Sequence, residues 1–185
     1  MPSDRSPDRL DALWRDHAPA VVRYARRRVM PSEVDEVVAE TFVVAWRRID
    51  DVPDYPLPWL LGVARGVSAN LRRAARRRDA LHERVTAASE TARAPDRGIG
   101  DDELSEALGA GLARLDEKDR ELLMLVAWDG LSQSEAAVAM GCSRGALAVR
   151  LHRARRRLRA EVAHRTDEPT APAVLACLPL TGDPS

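Results

Sequence analysis

The stretch Leu131–Arg159, LSQSEAAVAMGCSRGALAVRLHRARRRLR, decides how this chain is read. It predicts two helices around a tight turn, the second ending in a cluster of arginines. Ser132 followed by Glu135 is a capping-box start for the first helix. Gly141 supplies a left-handed stop, and Ser143 caps the second helix. In that helix Leu147, Leu151, Ala154 and Leu158 recur at four-three-four spacing, which makes one apolar stripe. Arg144, Arg150, Arg153, Arg155, Arg156, Arg157 and Arg159 fall elsewhere around it. A short helix, a glycine-containing turn and a basic helix are the parts of a helix-turn-helix. The plainer alternative is a solvated basic helix packed on its neighbour, but an unbalanced arginine run suits a polyanion better. Val149 lies almost opposite the leucine stripe, among His152, Arg153 and Arg156, where it gains nothing from water but suits a thymine methyl.

The chain has 185 residues, room for one domain or two small ones. Its formal net charge of +0 hides segregated signs. Arg65, Arg72, Arg73, Arg76, Arg77 and Arg78 form one basic block and the arginine helix another. Acids gather at Asp101, Asp102, Glu103 and Glu106 and from Asp116 to Glu121. Two basic surfaces joined by an acidic stretch suit a protein touching nucleic acid at two places. Cys142 falls in the predicted turn and Cys177 in the tail, so neither a structural disulfide nor a zinc site is expected. No cofactor or metal is expected. No apolar run reaches transmembrane length and MPSDRSPDRL lacks a signal-peptide core, so the expected location is the cytoplasm. Alanine, leucine, arginine and glutamate dominate without alternating β-branched runs, which predicts an all-α fold.

The periodicity predicts a first helix over 7–29, with Leu10, Leu13, Trp14, Val21, Tyr24 and Ala25 inside. Met30-Pro31-Ser32 breaks it, and Ser32 with Asp35 resembles another capping box. A second helix then runs to about Ile49, burying Val34, Val37, Val38, Thr41, Phe42, Ala45 and Ile49. The run DDVPDYPLP, 50–58, is too proline-rich to be regular. A third helix follows to about Arg78, with Gly62 and Gly66 as places for a kink or for close approach. Residues 79–100 read as a flexible linker. Helices resume over 101–115 and from Glu117 to Trp128, with Asp116 as cap and Gly130 as stop. The expected architecture is two small helical domains, 7–78 and 101–163, the second holding the helix-turn-helix, with a disordered tail over 164–185.

The segments DALWRDHAPAVVRYARRRV, DEVVAETFVVAWRRID and PWLLGVARGVSANLRR, then the linker, then LARLDEKDRELLMLVAWDGLSQSEAAVAMGCSRGALAVRLHRARRRLR, occur in that order. This arrangement resembles the extracytoplasmic-function sigma factors, two-domain bacterial transcription initiation factors, over about Leu10 to Leu158. The resemblance implies a protein that binds core RNA polymerase and promoter DNA, with an anti-sigma factor as a further partner and no membrane insertion. Glu36, Glu40, Val43 and Arg47 would then dock the second helix on the clamp helices of the largest subunit. The 50–58 loop would capture a base flipped from the minus-10 element, with Tyr55 stacking on it and Asp50, Asp51 or Asp54 taking its edge. For Tyr55 a plug between loop and core is the equal alternative. Arg65, Asn70, Arg72, Arg73 and Arg76 would meet minus-10 phosphates or bases. The C-terminal domain would bind the polymerase flap and the minus-35 element, through Ser143, Arg144, Val149, Arg150, Arg153 and Arg156.

The chain departs from the family pattern at several points. The family usually has glutamine where Ala39 stands and often asparagine where Gly66 stands, so a polar contact is lost at each. Many relatives carry threonine, lysine and serine or arginine where Ala146, Ala148 and Val149 stand. Direct readout therefore shifts to Arg144, Arg150 and Arg153, with a larger share for backbone contacts and DNA shape.

Two rivals are weighed. Gly141-Cys142-Ser143-Arg144-Gly145 satisfies the G-x-S-x-G pattern of a serine hydrolase, which needs its serine on a strand-to-helix turn. The preceding SEAAVAMG reads as helix, so no enzyme is expected. A helix-turn-helix regulator that never touches polymerase explains the last third but gives no role to DDVPDYPLP or to the second arginine block.

Overall fold

Pro7 opens the first helix at a position that needs no N–H donor, and apolar residues then recur on one side through α1 (Pro7–Arg26). The computed structural model describes residues 7–83 and 103–164. They form two units, α1 to α3 and α4 to α7, all helical and without a strand among the described residues. The expected all-α class is what the chain adopts.

In the first unit α1, α2 (Val34–Arg47) and α3 (Leu57–Glu83) pack pairwise on each other. Their shared core holds Val21, Tyr24 and Ala25 from α1, Val37, Phe42 and Ala45 from α2, and Leu60, Leu61 and Ala64 from α3. All seven residues expected inside the second helix are buried. Trp14 is not: it stays 48% exposed, its ring tilted against Phe42 at a centroid distance of 4.7 Å. An indole too large for the three-helix core covers that core's edge instead.

α1 ends at Arg26, earlier than Val29, because the chain turns back on itself there. The guanidinium of Arg28, nearly buried, lies 3.7 Å from the Tyr24 ring centroid and donates to the Tyr24 carbonyl at 3.2 Å. The same carbonyl accepts from the Arg27 N–H at 3.3 Å, so the cation adds a second donor at the end of the helix. The expected Ser32–Asp35 cap does not form. Pro31–Glu33 make a 3-10 turn instead, and Glu33 reaches back to accept from the Met30 N–H at 3.0 Å. Proline at the first position of that turn moves the start of α2 to Val34.

The 50–58 loop is shorter than its prolines predict, with a 3-10 turn at Ile49–Asp51 and α3 beginning at Leu57. Gly62 and Gly66 lie inside α3 without ending it, and the helix continues to Glu83, past Arg78. Residues 79–83 therefore belong to α3, not to a linker; 84–102 and the tail over 165–185 lie outside the described residues.

In the second unit α7 (Arg144–Ala163) is the central element, packed on α4 (Glu103–Arg114), α5 (Glu117–Ala127) and α6 (Gln133–Met140). Its Leu147, Leu151, Ala154 and Leu158 are buried, as the spacing predicts, and Val162 extends the stripe. Fully burying each leucine contributes about 1.5–3 kcal/mol, enough to fix which side of α7 faces out. Gly111 lets α4 approach closely, since a Cβ there would stand 3.1 Å from Leu158 Cδ1. Each predicted cap of this unit forms. Ser132 and Glu135 make the reciprocal box, Gly130 and Gly141 turn at φ 71° and 65°, and the Ala146 N–H donates to Ser143 Oγ at 3.2 Å.

Candidate nucleic-acid interface

Burial of the leucine stripe leaves Ser143, Arg144, Val149, Arg150, Arg153 and Arg156 exposed on the rest of α7. Val149 is 54% exposed among cations. Arg153 and Arg156 make no ion pair among the described residues. Arg150 differs: its Nε stands 3.1 Å from Asp119 Oδ1. The other oxygen of Asp119 accepts from Arg157 Nη1 at 2.9 Å, and Asp116 Oδ2 lies 3.4 Å from the same nitrogen. One buried carboxylate at the start of α5 thus holds two arginines of α7. Sequence reasoning missed this link, because nothing local marks Asp119 as buried or joins it to residues two helices away.

Asp116 accepts from the Asp119 N–H at 2.8 Å as the cap of α5. That backbone hydrogen bond, opposed by partial burial and aided by the charge of Arg150, holds the Asp116 carboxyl below the usual carboxylate range. A lowered folded-state pKa contributes stability that is present above the unfolded value and lost as pH falls through the folded one. Asp116→Ala is expected to cost about 1 kcal/mol, the usual worth of a cap, and to flatten the acid limb of the second unit's stability. Hydrogen exchange of the α5 amides, measured down through the acid range, checks both effects. Arg155, desolvated by burial and next to Arg159, has its pKa lowered.

In the first unit Tyr55 is 61% exposed and so is no plug. Val52 is the residue the loop buries, and its carbonyl accepts from Arg9 Nη2 at 2.8 Å. Arg48 braces the same end, bound to Asp51 Oδ2 at 2.9 Å, and its guanidinium lies 5.7 Å from the ring centroid of Trp59 in α3. Trp59 is half-buried, while Leu60 is fully buried. Asp54 is exposed beside Tyr55. The loop is thus held at its start and presents the ring of Tyr55 beside the carboxylate of Asp54.

Arg65, Arg72 and Arg76, spaced by seven and four, share one side of α3, with Asn70 and Arg73 beside it. Arg65 and Arg72 are half-buried, whereas Asn70, Arg73 and Arg76 are exposed. Arg73 Nη2 donates to Asn70 Oδ1, and Arg72 Nη1 reaches the Arg28 carbonyl at 3.5 Å. On α2, Glu36, Glu40, Val43 and Arg47 are all exposed on the side away from the core.

The strand-to-helix turn that a serine-hydrolase nucleophile needs does not form at Ser143. Ser143 follows helix α6 rather than a strand, and its hydroxyl caps α7. No group of three or more His, Cys, Asp or Glu that could hold a metal ion occurs among the described residues. No described helix is long and apolar enough to cross a membrane.

Two helical units, one with a capped helix-turn-helix and the other with an arginine-faced helix beside an exposed aromatic loop, define a DNA-binding protein of two modules. Known sequences agree. Sigma-70 region 2 matches residues 13–78, and Sigma-70, region 4 matches residues 105–158. The chain is 34% identical over 157 residues to the RNA polymerase sigma factor NccH of Alcaligenes xylosoxydans xylosoxydans, covering 80% of this chain and 83% of that one. It is 31% identical over 157 residues to the ECF RNA polymerase sigma factor SigL of Mycobacterium tuberculosis, at 80% and 85% coverage. Among solved structures, CnrH in complex with the cytosolic domain of CnrY superposes with a TM-score of 0.58, at 29% identity over 85% of this chain and 89% of that chain. The chain belongs to the extracytoplasmic-function sigma factors. It is a promoter-directing sigma factor of RNA polymerase, in a family of non-enzymatic transcription factors.

Proposed function

We propose that residues 7–78 form the module for the polymerase clamp and the minus-10 element, and residues 101–163 the module for the flap and the minus-35 element. Residues 84–100 join them after the last turns of α3, and 164–185 form the tail. The single observation that carries the reading is the outward side of α7. With its leucines buried, Val149, Arg153 and Arg156 face solvent, together with Arg144 at the capped start behind Ser143. Arg150 borders this group from the α5 side. Glu36, Glu40, Val43 and Arg47 dock on the clamp helices, mixing charge with an exposed valine as docking surfaces do.

Tyr55 and Asp54 receive the base extruded from the minus-10 element, while Arg65, Asn70, Arg72, Arg73 and Arg76 hold the backbone of the opening duplex. The chain catalyses no reaction. Binding energy from polymerase docking and two DNA contacts offsets the cost of opening the duplex. It acts in the cytoplasm and takes an anti-sigma factor as a partner. The similarity to CnrH, whose structure is a complex with the cytosolic domain of CnrY, supports that assignment.

Footprinting of polymerase reconstituted with this chain tests the reading. Tyr55→Ala is expected to keep minus-35 protection and to lose minus-10 opening by about 5–150-fold, the equivalent of one base–aromatic stack of about 1–3 kcal/mol. Permanganate reactivity of opened thymines reports that loss. Full opening by the variant would remove Tyr55 from the capture site.

A further inference from the structure

We propose that Asp119 is a specificity-determining residue: its carboxylate keeps Arg150 and Arg157 off the DNA backbone, and so limits sequence-independent binding by α7. The proposal deepens the minus-35 reading and rests on it. Asp119 meets Arg150 Nε at 3.1 Å with one oxygen and Arg157 Nη1 at 2.9 Å with the other. Its side chain is 4% exposed, against 43% and 59% for the two arginines. Seven residues apart, those arginines lie on one flank of α7, the flank turned to α5. Arg153 and Arg156 lie on the outer side.

The anchor's burial decides which interaction wins. Drawing the arginines away to phosphates would strip a desolvated carboxylate of its counter-charges. That loss exceeds what a screened phosphate contact returns. The pairs therefore persist on DNA. Every unrestrained arginine would add affinity for any duplex through counterion release, without reading sequence. Holding two of the seven arginines of α7 removes that share of binding from all sequences. What discriminates is then left to Arg153 and its exposed neighbours.

The test titrates the full-length chain against a labelled duplex of mixed sequence, by fluorescence anisotropy, over a range of sodium chloride concentrations. Asp119→Asn is expected to bind several-fold tighter at low salt. Its slope of log affinity against log salt is expected to steepen by about 0.9 for each arginine released. Asp119→Ser repeats the measurement with a shorter side chain, and circular dichroism confirms that helix content is kept. Arg157→Ala alone is expected to leave the slope of the parent unchanged. Combining Asp119→Asn with Arg150→Ala and Arg157→Ala is expected to return the slope to the parent value.

A parental slope in both Asp119 variants overturns the proposal, as does a slope lowered by about one in Arg157→Ala. If Arg153→Ala still loses discrimination at one base pair in the reconstituted holoenzyme, the minus-35 reading stands without this addition. If no form of the chain binds the duplex at any salt, the minus-35 reading fails and takes the proposal with it.

Discussion

Replacing Arg150 and Arg157 together by alanine is expected to destabilise the second unit by about 3 kcal/mol. The two arginines supply the ion pairs of Asp119. Removing the partners of a buried charge costs about 3–5 kcal/mol, because the remaining ion is desolvated and unanswered. The half-exposed arginines place this case at the low end of that range. Each single variant leaves Asp119 one partner and is expected to cost much less. Adding Asp119→Asn to the double variant is expected to restore most of the lost stability, since a neutral amide needs no counter-charge. A chain of two units need not unfold in one step, so a global melting curve is the wrong probe. Hydrogen exchange of the α5 and α7 amides reads the effect directly, as roughly a hundredfold faster opening for about 3 kcal/mol. Exchange at the parental rate would mean that Asp119 is sufficiently solvated without its partners.

The second large effect is expected at Arg153. Its side chain is exposed on the outer side of α7, next to Val149 and Arg156 and without an ion pair among the described residues. A guanidinium so placed can meet a guanine edge with two parallel hydrogen bonds. Arg153→Ala is expected to lose about 1–3 kcal/mol of minus-35 affinity, and to lose discrimination at one base pair while keeping it at the others. Competition binding by the reconstituted holoenzyme, with duplexes changed one base pair at a time, measures it. A loss equal for all sequences, with a salt slope lower by about one, would assign Arg153 to a phosphate instead.

Much of the second unit was legible because its signals are local. Ser132, Glu135, Gly141 and Ser143 act within a few residues of themselves, and a buried stripe at helical spacing needs no knowledge of its partner. The same holds for the seven buried residues expected in α2. The misreadings come where a distant group or a competing local one decides. Ser32 lost its capping role to Glu33 once Pro31 opened a 3-10 turn. Trp14 has the pattern of an inner residue, yet its size keeps it at the core's edge against Phe42.

The candidate site divides in the same way. Exposure of Glu36, Glu40, Val43 and Arg47 follows from the α2 period alone. The choice between plug and platform for Tyr55 does not, because it depends on Val52 taking the buried place and Arg9 holding its carbonyl. Arg150 and Arg153 are equivalent as letters in an arginine-rich helix. Only the fold, by bringing the start of α5 against one flank of α7, distinguishes them.

The most direct measurement is transcription in a purified system of core RNA polymerase, this chain and DNA carrying the promoter shared by genes that respond to its overexpression. The account predicts transcripts from one defined start, dependent on this chain and abolished by changes at either promoter element. Transcription that still required a different sigma factor, or a chain that never joined the core enzyme, would contradict it.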